Sequence, residues 1–398
     1  MKCHVCNSLS IASIPGGETL KRVTSDCRPW SQGVRLAVCR SCGTIQAAVD
    51  RRWQEDVDLV YASYAVYHQG QGAEQAVFDQ ASGQSAFRSA RILERLLSLR
   101  PLPPTGRLLD VGCGNGALLR TFSRMAPRWG LAGTELDGRC RDRVEAIANV
   151  EKLYTCALSD VPGTFDLVTL VHALEHIVHP QEFLADLRYK LAPGGWLVVE
   201  VPDFRSNPFD LLVADHCTHF TEATLTALLL AAGYELVHVT ADWVPKELTV
   251  VAKAARQAQT PAPAEARSDA ALVEDRLTWL NHVVSHAGRL ARQGPLGILG
   301  TSIAATWLFQ ELNAEVAFFV DEDPHRRGRP FLGRPVLDPR DAPEGAVGFI
   351  PLPPGLARAV ARRLRRPGVA WHCPAEFSLS RGAGSVCAGI AGEGSGSR

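Results

Sequence analysis

Apolar and polar positions alternate along this chain with two different periods, and the order in which those periods follow one another predicts an α/β protein. The clearest stretch is RLLDVGCGNGALL, residues 107–119. It opens with the apolar density of a buried strand, continues through three glycines at alternate positions, and ends in a helical apolar pattern. Strand-like runs follow at 129–134 and 165–171, with 154–160 covering a third strand and the loop beyond it. Two more, 234–239 and 248–252, are joined by a short turn, which predicts a hairpin that brings one antiparallel strand into the sheet. A second alternation begins after a helix predicted over 271–292. It consists of an apolar strand, the turn Gly300-Thr301-Ser302, a helix, a strand over 315–320 that ends before Asp321, and a strand over 347–352 with a helix to about 365. This pattern predicts a small parallel sheet.

The stretches between these blocks are of a different kind. Residues 51–100 read as mostly helical and stop at Pro101, Pro103 and Pro104. Within them Tyr61, Tyr64 and Tyr67 fall at i, i+3 and i+6 with His68 beside the last, a spacing that suits core packing or a lid over a site. The segment 257–269 is rich in Pro and Ala and reads as a linker, and the Gly/Ser-rich stretch from Gly382 onward reads as a disordered tail.

Length and composition narrow the class. At 398 residues the chain is long enough for two or three domains. Its 42 basic and 42 acidic residues balance, so no global field draws nucleic acid or an anionic membrane, and neither partner is expected. No apolar run reaches the length of a membrane span, and the first residues do not form a secretory signal. Eleven cysteines, four of them in two C-x-x-C pairs and the rest scattered singly, fit a reducing cytoplasm.

Four sets of residues are candidates for chemistry. Cys3, Cys6, Cys39 and Cys42 supply the four thiolates of a closed tetrahedral zinc, which would be structural because it leaves no open position. His4 and Cys27 lie nearby in sequence as spare ligands. Gly112, Gly114 and Gly116 let the turn tighten and bring backbone N–H groups close to a ligand, Asp110 stands at the strand's carboxyl end, and Glu135 falls where an acid after the second strand bonds ribose hydroxyls. That combination implies a nucleoside cofactor. The segment 200–221, EVPDFRSNPFDLLVADHCTHFT, gathers Asp210, Asp215, His216 and His219 after the fifth strand and before a helix near Thr221, where ligands bind in such sheets. A histidine there can take a proton near neutral pH, and a carboxylate can orient it. At the second alternation, the Gly300 turn and the basic residues Arg326, Arg327, Arg329 and Arg334 form a candidate anion site.

The acid-x-G-x-G-x-G turn, the FDLVTLV strand, the HALEHI segment beyond it and the LAPGG turn occur in the order of the class I S-adenosylmethionine-dependent methyltransferases, which the central part resembles. The resemblance implies S-adenosylmethionine as cofactor, contacts from Asp110, Gly112, Gly114, Gly116, Glu135 and His172, and a methyl-facing position near Leu174, Glu175 and His176. With the cysteine pairs before it and the α/β unit after it, the chain is similar to the zinc-containing C-methyltransferases of nucleotide-linked keto-sugars. Their loop F-D-x-x-Y-H-E-H-x-x-Y-F corresponds to FDLLVADHCTHF here, 209–220. Phe209, Asp210, His216 and Phe220 match and Asp215 replaces a glutamate. Val213, Ala214 and His219 depart from it, and WVPKEL at 243–248 lacks the family's Gly-Gly-Ser run. The resemblance implies His216 as general base with Asp215 and His219 beside it.

The expected organisation is a zinc-ribbon-like module over 1–50, a helical connection over 51–100, a Rossmann-like methyltransferase domain over 101–256, a linker over 257–270, a small Rossmann-like α/β domain over 271–380 and a tail over 381–398. The expected reaction is methyl transfer to a small molecule, at carbon of a nucleotide-activated sugar. O-methylation of a glycan or natural product is the alternative, and a zinc-ribbon nucleic-acid methyltransferase a more distant one.

Overall fold

The protein is described here by a computed structural model covering all residues except 31–32, 66–71, 75, 79–84, 256–268 and 378–398. Tyr67, His68, nearly all of the predicted linker and the predicted tail therefore lie outside the described residues. Five short strands come first: β1 (Ile11–Ile14), β2 (Arg22–Val23), β3 (Pro29–Trp30), β4 (Leu36–Cys39) and β5 (Ile45–Ala47). β1, β4 and β5 form an antiparallel sheet and β2 pairs with β3. Helix α1 (Arg51–Ala62) starts at Asp50, whose carboxylate accepts the Trp53 N–H.

The stretch read as mostly helical contains a hairpin instead. β6 (Ala76–Phe78) pairs with β7 (Ser85–Phe87), and α2 (Arg88–Leu99) begins only after it. Apolar spacing alone did not separate these residues, because the three-residue strands are too short to display a period.

The central sheet follows. Its elements are β8 (Arg107–Val111), α3 (Ala117–Met125), β9 (Gly130–Thr134), α4 (Arg141–Glu145), β10 (Val150–Tyr154), β11 (Phe165–Val171), α5 (Pro180–Leu187), β12 (Leu191–Pro202), β13 (Thr218–His219), α6 (Glu222–Ala231), β14 (Tyr234–Thr240) and β15 (Glu247–Ala254). The third strand ends at Tyr154, so the expected 154–160 covers the loop rather than the strand. Seven strands take the order β10-β9-β8-β11-β12-β15-β14, parallel except for β15. The order reverses between β9 and β11 around β8, so the crevice for ligands opens at the carboxyl end of β8. β13 leaves this sheet and pairs with β5, which makes the loop after β12 the fourth strand of the amino-terminal sheet.

Helix α7 (Asp269–Ala291) leads to β16 (Leu296–Leu299), α8 (Ile303–Leu312), β17 (Val316–Val320), β18 (Val336–Leu337), β19 (Ala346–Phe349), α9 (Pro354–Arg363) and β20 (Val369–His372). All five strands are parallel, in the order β18-β17-β16-β19-β20. Ile14, Val23, Leu36 and Ile45 of the amino-terminal strands share one apolar core with Phe204, Phe209, Leu211 and Leu212 of the loop after β12, and with Trp279, Leu280 and Trp307 of α7 and α8. Phe209 sits between Trp279 and Trp307 with ring centroids 5.6 and 5.8 Å away. Burying such a ring stabilises by roughly 1.5–3 kcal/mol, and here it fixes the underside of the loop that carries the candidate histidines. Among the described residues no helix is long and apolar enough to cross a membrane.

Candidate active site

A cavity of about 1370 Å³ opens above the carboxyl ends of both parallel sheets. It is lined from the glycine turn by Asp110, Gly112 and Gly114, from the second strand by Glu135, from beyond β11 by His172, Glu175 and His176, and from the loop after β12 by Asp210, Val213 and His216. Its far end is walled by Gly300, Thr301, Ser302, Asp321 and Arg326. Pockets for a single small ligand hold roughly 300–1,000 Å³, so this one has space for two ligands side by side.

The donor end is built from β8 and β9. Gly112, Gly114 and Gly116 all adopt positive φ, at 69°, 57° and 79°. A Cβ on Gly112 would stand 2.8 Å from the Ala173 Cβ, so this glycine keeps the crevice open. Gly116 is different. It does not line the cavity, and a Cβ there would meet Ile147 Cδ1 at 2.5 Å, which makes it a packing glycine at the start of α3. The Glu135 carboxylate accepts the Gly114 N–H at 2.5 Å and the Leu136 N–H at 3.1 Å, and burial raises its pKa against those bonds. Asp110 accepts the Thr169 hydroxyl at 2.7 Å, and burial pushes it up to about 7. Asn115 Oδ1 is buried without a hydrogen bond. A cradle of open backbone, two carboxylates and an orphaned acceptor fits a ligand that carries hydroxyl and ammonium donors, as S-adenosylmethionine does.

The acceptor end rests on one carboxylate. Asp210 accepts from His216 Nδ1 at 2.7 Å and from His219 Nδ1 at 2.6 Å. Burial alone would lower the His216 pKa, but the Asp210 hydrogen bond and charge raise it to about 9. Asp210 itself is held well below the usual carboxylate range by the two histidines, against the effect of burial. His216 stands edge-on to His176, ring centroids 4.6 Å apart, and the His176 Nδ1 lies 3.0 Å from the Asp215 carbonyl and 3.1 Å from the Tyr61 hydroxyl. Burial, then the His216 charge, lowers His176 to about 4.

The residues expected to work together therefore divide. His216 faces the cavity. His219 is buried behind it and touches Asp210 only from the rear. Asp215, expected to orient His216, turns the other way: its carboxylate accepts the Ser25 N–H at 2.9 Å and the Ser25 hydroxyl at 2.5 Å. Orientation of His216 falls to Asp210, because the tight turn of 208–212 places that side chain under the imidazole. Tyr61 and Tyr64 both line the cavity, at the end of α1 and just after it.

His172, expected at the cofactor, lines the same cavity as the glycine turn and is ringed there by carboxyls. It adopts φ 52° and lies among three buried carboxyls, 3.3 Å from Glu175, 3.4 Å from Glu247 and 3.8 Å from Glu200. Arg88 is 3.4 Å from Glu200 and 3.2 Å from Glu247, and Thr249 donates to Glu200 at 3.0 Å. Burial pushes Glu175 and Glu200 up to about 8 and Glu247 up to about 7. Sequence reasoning passed over Glu200 and Glu247. The available signal was a single acid near the carboxyl end of the apolar run of β12 and another at the first position of β15.

The amino-terminal cysteines converge. Cys3 and Cys42 have sulfurs 3.5 Å apart, Cys6 and Cys39 3.6 Å, and all four lie within 4.8 Å of one another. A tetrahedron of sulfurs at zinc–thiolate bond length has edges of about 3.8 Å. The Val5 and Cys6 N–H groups also point at Cys3 Sγ, at 3.4 and 3.5 Å. The donor set fits zinc. His4 is not part of it: its Nδ1 is hydrogen-bonded to Thr218 Oγ1 at 2.8 Å, and Cys27 is buried at the cavity wall.

Of the basic cluster expected at the second sheet, only Arg326 lines the cavity. It donates to Thr301 Oγ1 at 2.7 Å and lies 3.8 Å from Asp321 and 3.4 Å from Asp323. Arg327 pairs with Asp338, and Arg334 donates to the Val316 carbonyl.

Residues 85–239 match a family described as a methyltransferase domain. Among curated proteins, an uncharacterized 37.1 kDa protein in transposon Tn4556 of Streptomyces fradiae is 31% identical over 146 residues, 34% of this chain and 41% of that protein. The mitochondrial ubiquinone biosynthesis O-methyltransferase of Schizosaccharomyces pombe is 34% identical over 106 residues, 23% of this chain and 36% of that protein. The chain thus spans less than half the length of these relatives. A solved S-adenosylmethionine-dependent methyltransferase of Clostridium acetobutylicum is similar over 51% of this chain and 98% of its own, at 12% identity and a TM-score of 0.36. The family match, the glycine turn and the strand order with one antiparallel member agree. The central part of the chain is an S-adenosylmethionine-dependent methyltransferase domain of the Rossmann-like α/β type.

Proposed function

We propose that the protein transfers a methyl group from S-adenosylmethionine to carbon of a nucleotide-linked keto-sugar, with His216 as general base. The observation that carries this reading is that a single cavity is lined by the Gly112 turn, by His216 and by the Gly300 turn. The reacting part of an acceptor then lies over the β11 and β12 ends, and its handle reaches the second sheet. There the N-terminus of α8 and Arg326 suit a diphosphate, and Asp321, at the end of the second strand of that sheet, suits ribose hydroxyls.

When bound, S-adenosylmethionine supplies an electrophilic sulfonium methyl. The backbone of the glycine turn and Glu135 hold it at the donor end, so positioning lowers much of the barrier. Asp210 fixes the Nδ1 proton of His216, which leaves Nε2 as the basic atom toward the cavity. Nε2 would take the proton next to the ketone, and the carbon that keeps the electron pair would accept the methyl group as its bond to sulfur breaks and the neutral thioether S-adenosylhomocysteine leaves. Four thiolates from the cysteine pairs hold a structural zinc, and β5, next to that site, pairs with β13 and so supports the loop that bears His216.

The decisive assay combines the protein, S-adenosylmethionine and a panel of nucleotide sugars in deuterated water. Carbon methylation through an enolate is expected to wash deuterium into the substrate at the carbon next to the ketone, and His216→Asn should abolish both washout and turnover while cofactor binding survives. Methylation without washout would move the reaction to oxygen, the chemistry of the ubiquinone-pathway relative. Failure of every nucleotide sugar to bind would remove the second sheet from the acceptor site.

A further inference from the structure

Beside His216 the cavity wall carries two donors that the proposed reaction does not use. Glu175 and His176 stand next to each other on the single turn Leu174–His176 beyond β11, and both line the cavity together with His216. One donor atom from each of the three lies within 4.8 Å of the other two. Ligands of one tetrahedral ion at bond lengths of about 2.0–2.2 Å stand about 3.4 Å apart, so closing the group around an ion asks for a contraction of about 1.4 Å at most.

The other atoms of these side chains are held as a metal site requires. A ligating histidine gives the proton of its second ring nitrogen to a carboxylate or a backbone carbonyl. His216 Nδ1 is 2.7 Å from Asp210, and His176 Nδ1 is 3.0 Å from the Asp215 carbonyl. A carbonyl only accepts, so His176 carries its proton on Nδ1 and keeps the Nε2 lone pair free. Glu175 is the third ligand. It is 1% exposed, and neither of its carboxyl oxygens has a hydrogen bond among the described residues; His172, 3.3 Å away, is not aligned to donate one. Asp210, His216 and His219 converge as well, but there both imidazoles already satisfy the carboxylate.

The donor chemistry selects the ion. Two imidazoles and one carboxylate suit divalent first-row transition ions such as zinc, cobalt and iron, whereas magnesium and calcium take sets of oxygens. Three protein ligands leave a coordination position open toward the cavity. The surroundings raise Glu175 to about 8 and His216 to about 9, so the ion displaces protons to solvent as it binds.

We infer that Glu175, His176 and His216 form a site for one divalent transition-metal ion, separate from the four cysteines, and that the ion shuts methyl transfer off by taking the Nε2 lone pair of His216. The site stands on the geometry of the three side chains. The inhibition rests on the reading of His216 as general base.

The test starts from protein shown by elemental analysis to hold one zinc per chain, titrated with Co2+ by calorimetry and visible absorption. One further Co2+ per chain is expected, with the spectrum of nitrogen and oxygen ligands and no sulfur-to-cobalt charge-transfer band, and Mg2+ should not bind. Glu175→Gln and His176→Gln should each weaken Co2+ about ten-fold or more, while His219→Gln changes it by less than about three-fold. S-adenosylhomocysteine affinity reports that each variant is folded. The absence of a second ion, a sulfur band, or an affinity that neither Glu175→Gln nor His176→Gln lowers overturns the inference, as does a loss confined to His219→Gln. In the activity arm, Co2+ should depress deuterium washout and turnover of the nucleotide sugar about ten-fold or more, as loss of a general base implies, and both should return once the ion is dialysed away. Turnover that persists with the ion bound refutes the inhibition and the base assignment together. Co2+ binding on these ligands when no nucleotide sugar is turned over supports the site and defeats the acceptor reading alone.

Discussion

Asp210→Asn removes one negative charge and leaves an acceptor of the same shape beneath His216. In the native protein His216 is raised from 6.5 to about 9, with Asp210 the first cause acting in that direction. At about 1.4 kcal/mol per pH unit, a displacement of some 2.5 units corresponds to about 3 kcal/mol in favour of the imidazolium. A folded-state pKa above the unfolded value contributes stability that is complete below about 6.5 and lost as pH rises through about 9. Asp210, held low, contributes above the ordinary carboxylate pKa of about 4 and loses that contribution as pH falls below it. The variant should therefore differ most from the native protein between about pH 5 and 8, by about 3 kcal/mol or a thermal midpoint lower by about 3–4 °C for a chain of 398 residues, and little at pH 10.

The direct assay is nitrogen-15 NMR of labelled histidine, which follows His216 without an acceptor. The native His216 is expected to titrate near 9, and the variant's about two units lower. Because a base must be neutral, native turnover should also climb about ten-fold per pH unit between 7 and 8. A native His216 that titrates near 6.5, or one that Asp210→Asn leaves unmoved, would refute the assignment of Asp210 as the charge that governs this imidazole.

Three other expectations follow from the geometry. Removing the metal by chelation, or Cys39→Ser, should loosen β5, β13 and the His4–Thr218 hydrogen bond, so the protein should lose zinc by elemental analysis and lose His216 NMR dispersion while still binding S-adenosylmethionine; an unchanged His216 signal in metal-free protein would contradict the link. Gly112→Ala should weaken S-adenosylmethionine at least ten-fold by calorimetry, because its Cβ stands in the crevice 2.8 Å from Ala173, whereas Gly116→Ala should lower stability by about 2 kcal/mol and leave cofactor affinity within about three-fold. Trp307→Ala opens a space beneath Phe209 and should cost about 3–5 kcal/mol in denaturant unfolding, with a large fall in turnover as the loop loses its floor; native-like stability would argue against the shared core.

Local chemistry in the sequence was sufficient for the methyltransferase sheet. A strand that runs into three glycines can only turn tightly there, an apolar run of seven residues forms a buried strand, and the hairpin from 234 to 254 shows itself as two strand-like runs joined by a short turn. The cysteine pairs were legible for the same reason, since C-x-x-C brings two sulfurs to one point whatever the rest of the chain does. Partners across the fold were not legible. Asp215 stands next to His216 in sequence, yet successive residues in an extended loop point to opposite sides, so Asp215 turns to Ser25 and Asp210 takes its expected place. Gly116 shares a motif with Gly112 but faces α4 rather than the ligand. Glu175, Glu200, Glu247 and Arg88 come from four separate segments, and the pairing of β12 with β15 together with the placement of the first residue of α2 brings their charges together. The sequence by itself determined which segments become strands, helices and turns, because those depend on neighbours in the chain. The tertiary structure alone decided which side chains share the buried, low-dielectric space above the sheet, because that depends on residues far apart in the chain.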